Sequence, residues 1–76
     1  MGIYVEIKKV ADDGRLAKYS FMSSDGSERL LTVDREEERL WPDDGVENIE
    51  YNGAARALVK AWRQRGELPD RARHQA

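Results

Sequence analysis

Three Asp-Gly dipeptides, Asp13-Gly14, Asp25-Gly26 and Asp44-Gly45, divide the first two thirds of this chain, and one helix-like run from Asn52 to Arg65 closes it. Asp-Gly between alternating apolar residues is the strongest short-range hairpin signal, because glycine reaches positive φ without a Cβ clash. The order predicts an α+β fold. An antiparallel meander of three to four strands comes first, and one C-terminal helix packs on one face of it (ββββα). At 76 residues the chain has material for a single core. We expect one domain over residues 1–69 and a flexible tail over residues 70–76.

Ile3-Tyr4-Val5-Glu6-Ile7-Lys8 alternates apolar and polar, the period-2 signature of a half-buried strand. Ile3, Val5 and Ile7 share one face. If Val10 stands opposite Leu16, then Ile7 meets Tyr19 and Val5 meets Phe21, all on that face. Ser24-Asp25-Gly26-Ser27 leaves two registers for the next hairpin, with Phe21 opposite Leu30 or opposite Leu31. A one-residue slip turns every side chain over. The register that buries Leu31 and Val33 is preferred, because the other buries Thr32. Asp34 to Arg39 reads as a tight hairpin that sets Val33 against Leu40 and Asp34 against Arg39. Pro42 ends that strand, and 46–51 reads as an irregular link or a short edge strand.

The closing element carries an Asn52 N-cap and a stripe of Ala54, Ala55, Leu58, Val59 and Trp62 at helical spacing. Gly66 suits the left-handed position after the last turn, and Pro69 forbids continuation. Leu68 is placed to fold back on that turn. Trp62 is the largest apolar group of the stripe, and full burial would make Trp62→Ala cost about 3–5 kcal/mol.

Composition narrows the function classes. There is no cysteine, so disulfides and thiolate metal sites are out of reach and a cytoplasmic location is expected. No apolar run approaches the length of a membrane span. The net charge of −2 hides an asymmetry: residues 1–51 hold 7 basic and 13 acidic side chains, whereas residues 52–76 hold 6 basic and 2 acidic. An acidic sheet argues against a nucleic acid wrapped by the whole surface, and leaves the helix as the one element suited to phosphates.

Trp41-Pro42-Asp43-Asp44-Gly45, Gly53-Ala54-Ala55-Arg56 and the run from Ala61 to Asp70 resemble small actinobacterial proteins of unknown function. The resemblance spans nearly the whole chain, opening with a Gly-Ile-Tyr-type strand, and implies no activity, cofactor or site residue. Some DNA-binding domains also place one C-terminal helix on a three-stranded sheet. That likeness is architectural alone, with none of their residue motifs.

Catalytic chemistry finds no support. His74, the sole histidine, falls in the expected tail with nothing to orient it. Asp12-Asp13 and Asp43-Asp44 look like fragments of calcium loops but lack the ligand ladder and the distal glutamate, so turn chemistry is favoured. Glu36-Glu37-Glu38 reads as a solvated charge run. Ser20, Ser23, Ser24 and Ser27 have no nearby base, and no glycine-rich phosphate cradle is present. We expect no catalytic residue, no metal and no cofactor.

Two surfaces remain. Tyr4, Leu16, Met22, Leu30 and Trp41 would project from the sheet face away from the helix, as a docking surface for another protein or a second copy of the chain. Arg56, Lys60, Arg63 and Arg65, continued by Arg71 and Arg73, form a basic helix face for phosphates. The helix lacks polar base-reading residues among its cations, so nucleic acid is the weaker reading. The expected function is a non-enzymatic protein–protein interaction or regulatory module; the alternative is a nucleic-acid-binding adaptor using the C-terminal helix.

Overall fold

A computed structural model describes residues 4–22 and 26–75. It contains β1 (Tyr4–Asp12), β2 (Leu16–Met22), β3 (Glu28–Asp34), β4 (Arg39–Pro42), α1 (Ile49–Arg65) and β5 (Arg71–Gln75). The strands form one antiparallel sheet in the order β4-β3-β2-β1-β5, with the helix on one face. The expected fold class stands, with one strand more than the meander.

The core is the inner face of the sheet. Val5, Ile7, Ala17, Tyr19, Phe21, Leu31 and Val33 are each at most 2% exposed, and Tyr51, Ala54, Leu58 and Leu68 close over them. Leu40, Ala55 and Trp62 pack against this cluster from its margin. Ile3, expected on the same face, lies outside the described residues, as do Ser23 and Ser24.

The registers keep the expected faces but differ in offset. Ile7 stands opposite Phe21 and Lys9 opposite Tyr19, two residues from the expected pairing. A two-residue shift preserves which side is buried. Val10 is the extra residue of a bulge between Lys9 and Ala11, and it is exposed. The Asp13 carboxylate sets this turn by accepting the backbone N–H groups of Arg15 and Leu16 at 2.9 and 2.6 Å. In the second hairpin Arg29, rather than Leu30 or Leu31, faces Phe21, while Leu31 and Val33 are inside as preferred. The third hairpin pairs Val33 with Leu40 and Asp34 with Arg39, as the sequence indicates.

Three expectations need correction. The helix begins one turn earlier than Asn52: Asn48 is the N-cap, and its side chain accepts from the Tyr51 N–H at 3.0 Å. The expected link 46–51 therefore supplies the first helical turn. Its Tyr51 ring meets Phe21 at a centroid distance of 6.2 Å. Trp62 is only half-buried, and Tyr51 and Leu58 hold the deep positions instead. The expected flexible tail is also wrong. Residues 71–75 form β5, which pairs with β1 from Tyr4–Gln75 to Lys8–Arg71. Ala72 and His74 point inward on β5, so the tail does have something to cover.

The chain can return because the helix ends sharply. Gly66 takes φ 75° and donates its N–H to the Trp62 carbonyl at 2.8 Å. Leu68 then turns into the core, and the buried Tyr19 hydroxyl donates to the Pro69 carbonyl at 2.6 Å.

Candidate functional site

With α1 on the inner face, the outer face keeps its large apolar side chains. Tyr4 is 46% exposed, Met22 46%, Leu30 36% and Trp41 39%. Their register makes them a diagonal. Leu30 is opposite Ser20, so Met22 is its diagonal neighbour on β2. Trp41 is opposite Thr32, which makes it the diagonal neighbour of Leu30 on β4. Diagonal pairs lie within reach of long and aromatic side chains. Tyr4 opens the same row on β1, and its hydroxyl donates to Glu6.

Leu16 is also exposed on this face, but stands apart across a shallow depression lined by Ala11, Lys18, Thr32, Trp41 and Asp43. The floor is polar and paired. Lys18 Nζ meets Asp43 Oδ2 at 2.6 Å, and the Thr32 hydroxyl donates to Asp43 Oδ1 at 2.6 Å. Burial works against the Asp43 charge, but these two bonds more than offset it and keep its pKa low. The face is thus an apolar ridge beside an ion pair. Among the described residues, no buried side-chain nitrogen or oxygen is left without a bond.

The predicted basic face divides. Arg56, Lys60 and Arg63 recur at i, i+4 and i+7 and are exposed on one side of α1. Arg65, two positions beyond Arg63, points to nearly the opposite side. Arg71 and Arg73 do not continue the patch, because they alternate with the inward Ala72 on β5 and lie on the outer sheet face. None of these six cations has an ion pair among the described residues, in contrast to those of the hairpins.

There, Lys9, Arg15, Lys18, Arg29 and Arg35 each meet an aspartate. Arg35 grips Asp12 with two bonds of 2.7 and 2.8 Å, and Lys9 reaches the same carboxylate at 3.0 Å. The Arg35 bonds, the Gly14 N–H and Lys9 hold the Asp12 carboxyl well below the usual range. Arg15 pairs with Asp34, whose Oδ1 also accepts the Glu36 and Glu37 N–H groups; Asp34 is lowered chiefly by Arg15. Arg29 is the residue that sequence reasoning missed. It donates to both oxygens of Asp44, to Asn48 Oδ1 and to the Val46 carbonyl, while its guanidinium lies 4.8 Å from the Phe21 ring centre. Asp44 is lowered to about 2, mainly by this contact. Asp12, Asp13, Asp43 and Asp44 thus act as turn and ion-pair groups.

His74 is partly buried against Gly53 of the helix, where it has a packing role. Among the described residues, no three histidine or acidic groups are arranged to hold a metal ion, and no helix is long and apolar enough to cross a membrane. No family model matches this chain, and comparisons with curated proteins and with solved structures returned no match.

Proposed function

We propose that this chain is a small non-enzymatic interaction module that docks a protein partner, which includes a second copy of itself, on the outer face of its sheet. The observation that carries the reading is the diagonal of Tyr4, Met22, Leu30 and Trp41, each more than a third exposed. An antiparallel sheet with one face in water ordinarily presents polar residues there. A row of exposed apolar side chains on one sheet face supports a docking role. The lack of cysteine suits work in a reducing cytosol.

Position-resolved photo-crosslinking tests the reading. A diazirine side chain placed at Met22 or Trp41 should give one common adduct, to another protein or to the chain itself. The same group at Arg56 should not. Adducts from Arg56 alone, or none from either sheet position, would refute it.

A second reading, a nucleic-acid adaptor, rests on the stripe of Arg56, Lys60 and Arg63, which has no ion pair among the described residues. It is the lesser one, because Arg65 and the β5 arginines lie elsewhere and three cations make a small phosphate footprint. Gel-shift titration at two salt concentrations decides it: salt-sensitive binding lost in Lys60→Glu supports it, and no shift at low salt ends it.

A further inference from the structure

The sheet has two edges of different character. On one side β4 has four residues and finishes on Pro42, which has no N–H to offer. On the other side β5 is the last strand of the sheet, with no strand beyond it among the described residues. The hydrogen-bond phase of β5 follows from one contact, the Lys9 N–H donated to the Asp70 carbonyl at 2.9 Å. Antiparallel residues alternate between bonded and non-bonded pairs. Ile7–Ala72 and Val5–His74 therefore turn their backbone groups toward each other, and the N–H and C=O groups of Arg71, Arg73 and Gln75 point out to the open edge.

The same residues carry the charge. Arg71 and Arg73 are exposed and without an ion pair among the described residues; Arg71 stands directly opposite Lys8, a third such cation, and Arg73 opposite Glu6. Like charges opposite one another on a sheet are unfavourable unless an anion joins them. A depression on this side is lined by Glu6, Lys8, Arg71 and Arg73. On the helical layer, Gly53 faces β5 through His74, and Arg56 and Lys60 at i+3 and i+7 lie on that side of α1.

We propose that the β5 edge accepts an extended acidic peptide segment as a sixth strand. Its Asp or Glu residues at alternate positions stand opposite Arg71 and Arg73 on the outer face. Main-chain bonds supply the docking, and the alternating cations select the sequence. A second copy of this chain is a poor occupant. An antiparallel β5–β5 pair centred on Arg73 would set Arg73 against Arg73, and one centred on Arg71 would set Arg71 against Arg71. This inference is independent of the apolar ridge.

The test is fluorescence anisotropy with a labelled ten-residue peptide alternating glutamate and threonine, beside its lysine-for-glutamate counterpart and a single-stranded oligonucleotide of equal charge. The acidic peptide should bind, and should slow hydrogen exchange at the Arg71, Arg73 and Gln75 amides. Binding should weaken about tenfold or more in Arg71→Ser/Arg73→Ser. It should weaken in the lysine peptide whatever the fate of the variant. Equal or tighter binding of the oligonucleotide, protection that maps away from β5, or no peptide binding at low salt would overturn the proposal.

Discussion

Gly53 is where α1 packs against His74 of β5. A Cβ built there would stand 2.6 Å from His74 Cδ2, inside any real contact. In a helix interior, alanine is otherwise favoured over glycine by about 0.8–1.0 kcal/mol. Gly53→Ala alone should therefore lower the melting temperature. Combined with His74→Ala it should recover or exceed the stability of the single His74→Ala chain. The double-mutant cycle should show a coupling of about 1 kcal/mol or more; a stabilising Gly53→Ala single variant would contradict the contact. Nothing local in the sequence signals this pair, because residues 53 and 74 meet only once β5 has folded back. Arg29 was illegible for a similar reason. Its inner face follows from alternation with Leu31 and Val33, but its place opposite Phe21 follows from a two-residue register offset that the turn before it does not announce. Tyr19 and Phe21, which sit in alternating runs, were legible as core.

At the scale of elements, the helix was readable in its stripe and at its C-terminus but not at its start. The sequence points to Asn52 as the cap, whereas the structure caps the helix with Asn48. Asn48 prevails because its Oδ1 is fixed twice, by the Tyr51 N–H and by Arg29 Nη1 at 2.7 Å. The extra turn also brings Tyr51 onto Phe21. Asn48→Ala should cost about 1–2 kcal/mol in chemical denaturation. Asn52→Ala, in an exposed helical position, should be neutral or slightly stabilising. The reverse order would put the cap back at Asn52. The same limit applies to β5. Arg71-Ala72-Arg73-His74-Gln75 offers one small apolar group and one histidine, so periodicity alone reads it as solvated. It becomes a strand because β1 presents an open edge beside it and Gly66 and Pro69 aim the chain there.

Across the whole molecule, five aspartates bind the hairpins together, and all five are more acidic than an ordinary carboxyl: Asp12 through Arg35, Asp13 through the Leu16 and Arg15 amides, Asp34 through Arg15, Asp43 through Lys18 and Thr32 despite burial, and Asp44 through Arg29. A carboxyl whose folded pKa is depressed contributes stability above its unfolded value and loses it as pH falls through the folded one. Unfolding free energy should thus be level above about pH 4 and decline below it, continuing to fall near pH 2 where Asp44 titrates. Tyr19 sets the alkaline limit. Burial pushes its pKa up to about 12, so its contribution is full below about pH 10 and lost as pH rises from there. Denaturant melts across the pH range check both limbs; a flat acid limb would contradict the ion-pair network.

Docking on the outer face requires that face to stand open in the free chain, with the helix wholly on the other side. Trp41 reports this directly once Trp62→Phe removes the second indole. Acrylamide quenching of the dilute monomer should be efficient, with emission typical of an indole in contact with water, in keeping with its 39% exposure. A weakly quenched, blue-shifted Trp41 in a chain shown to be monomeric would mean that the face is already covered, and the docking surface would not exist.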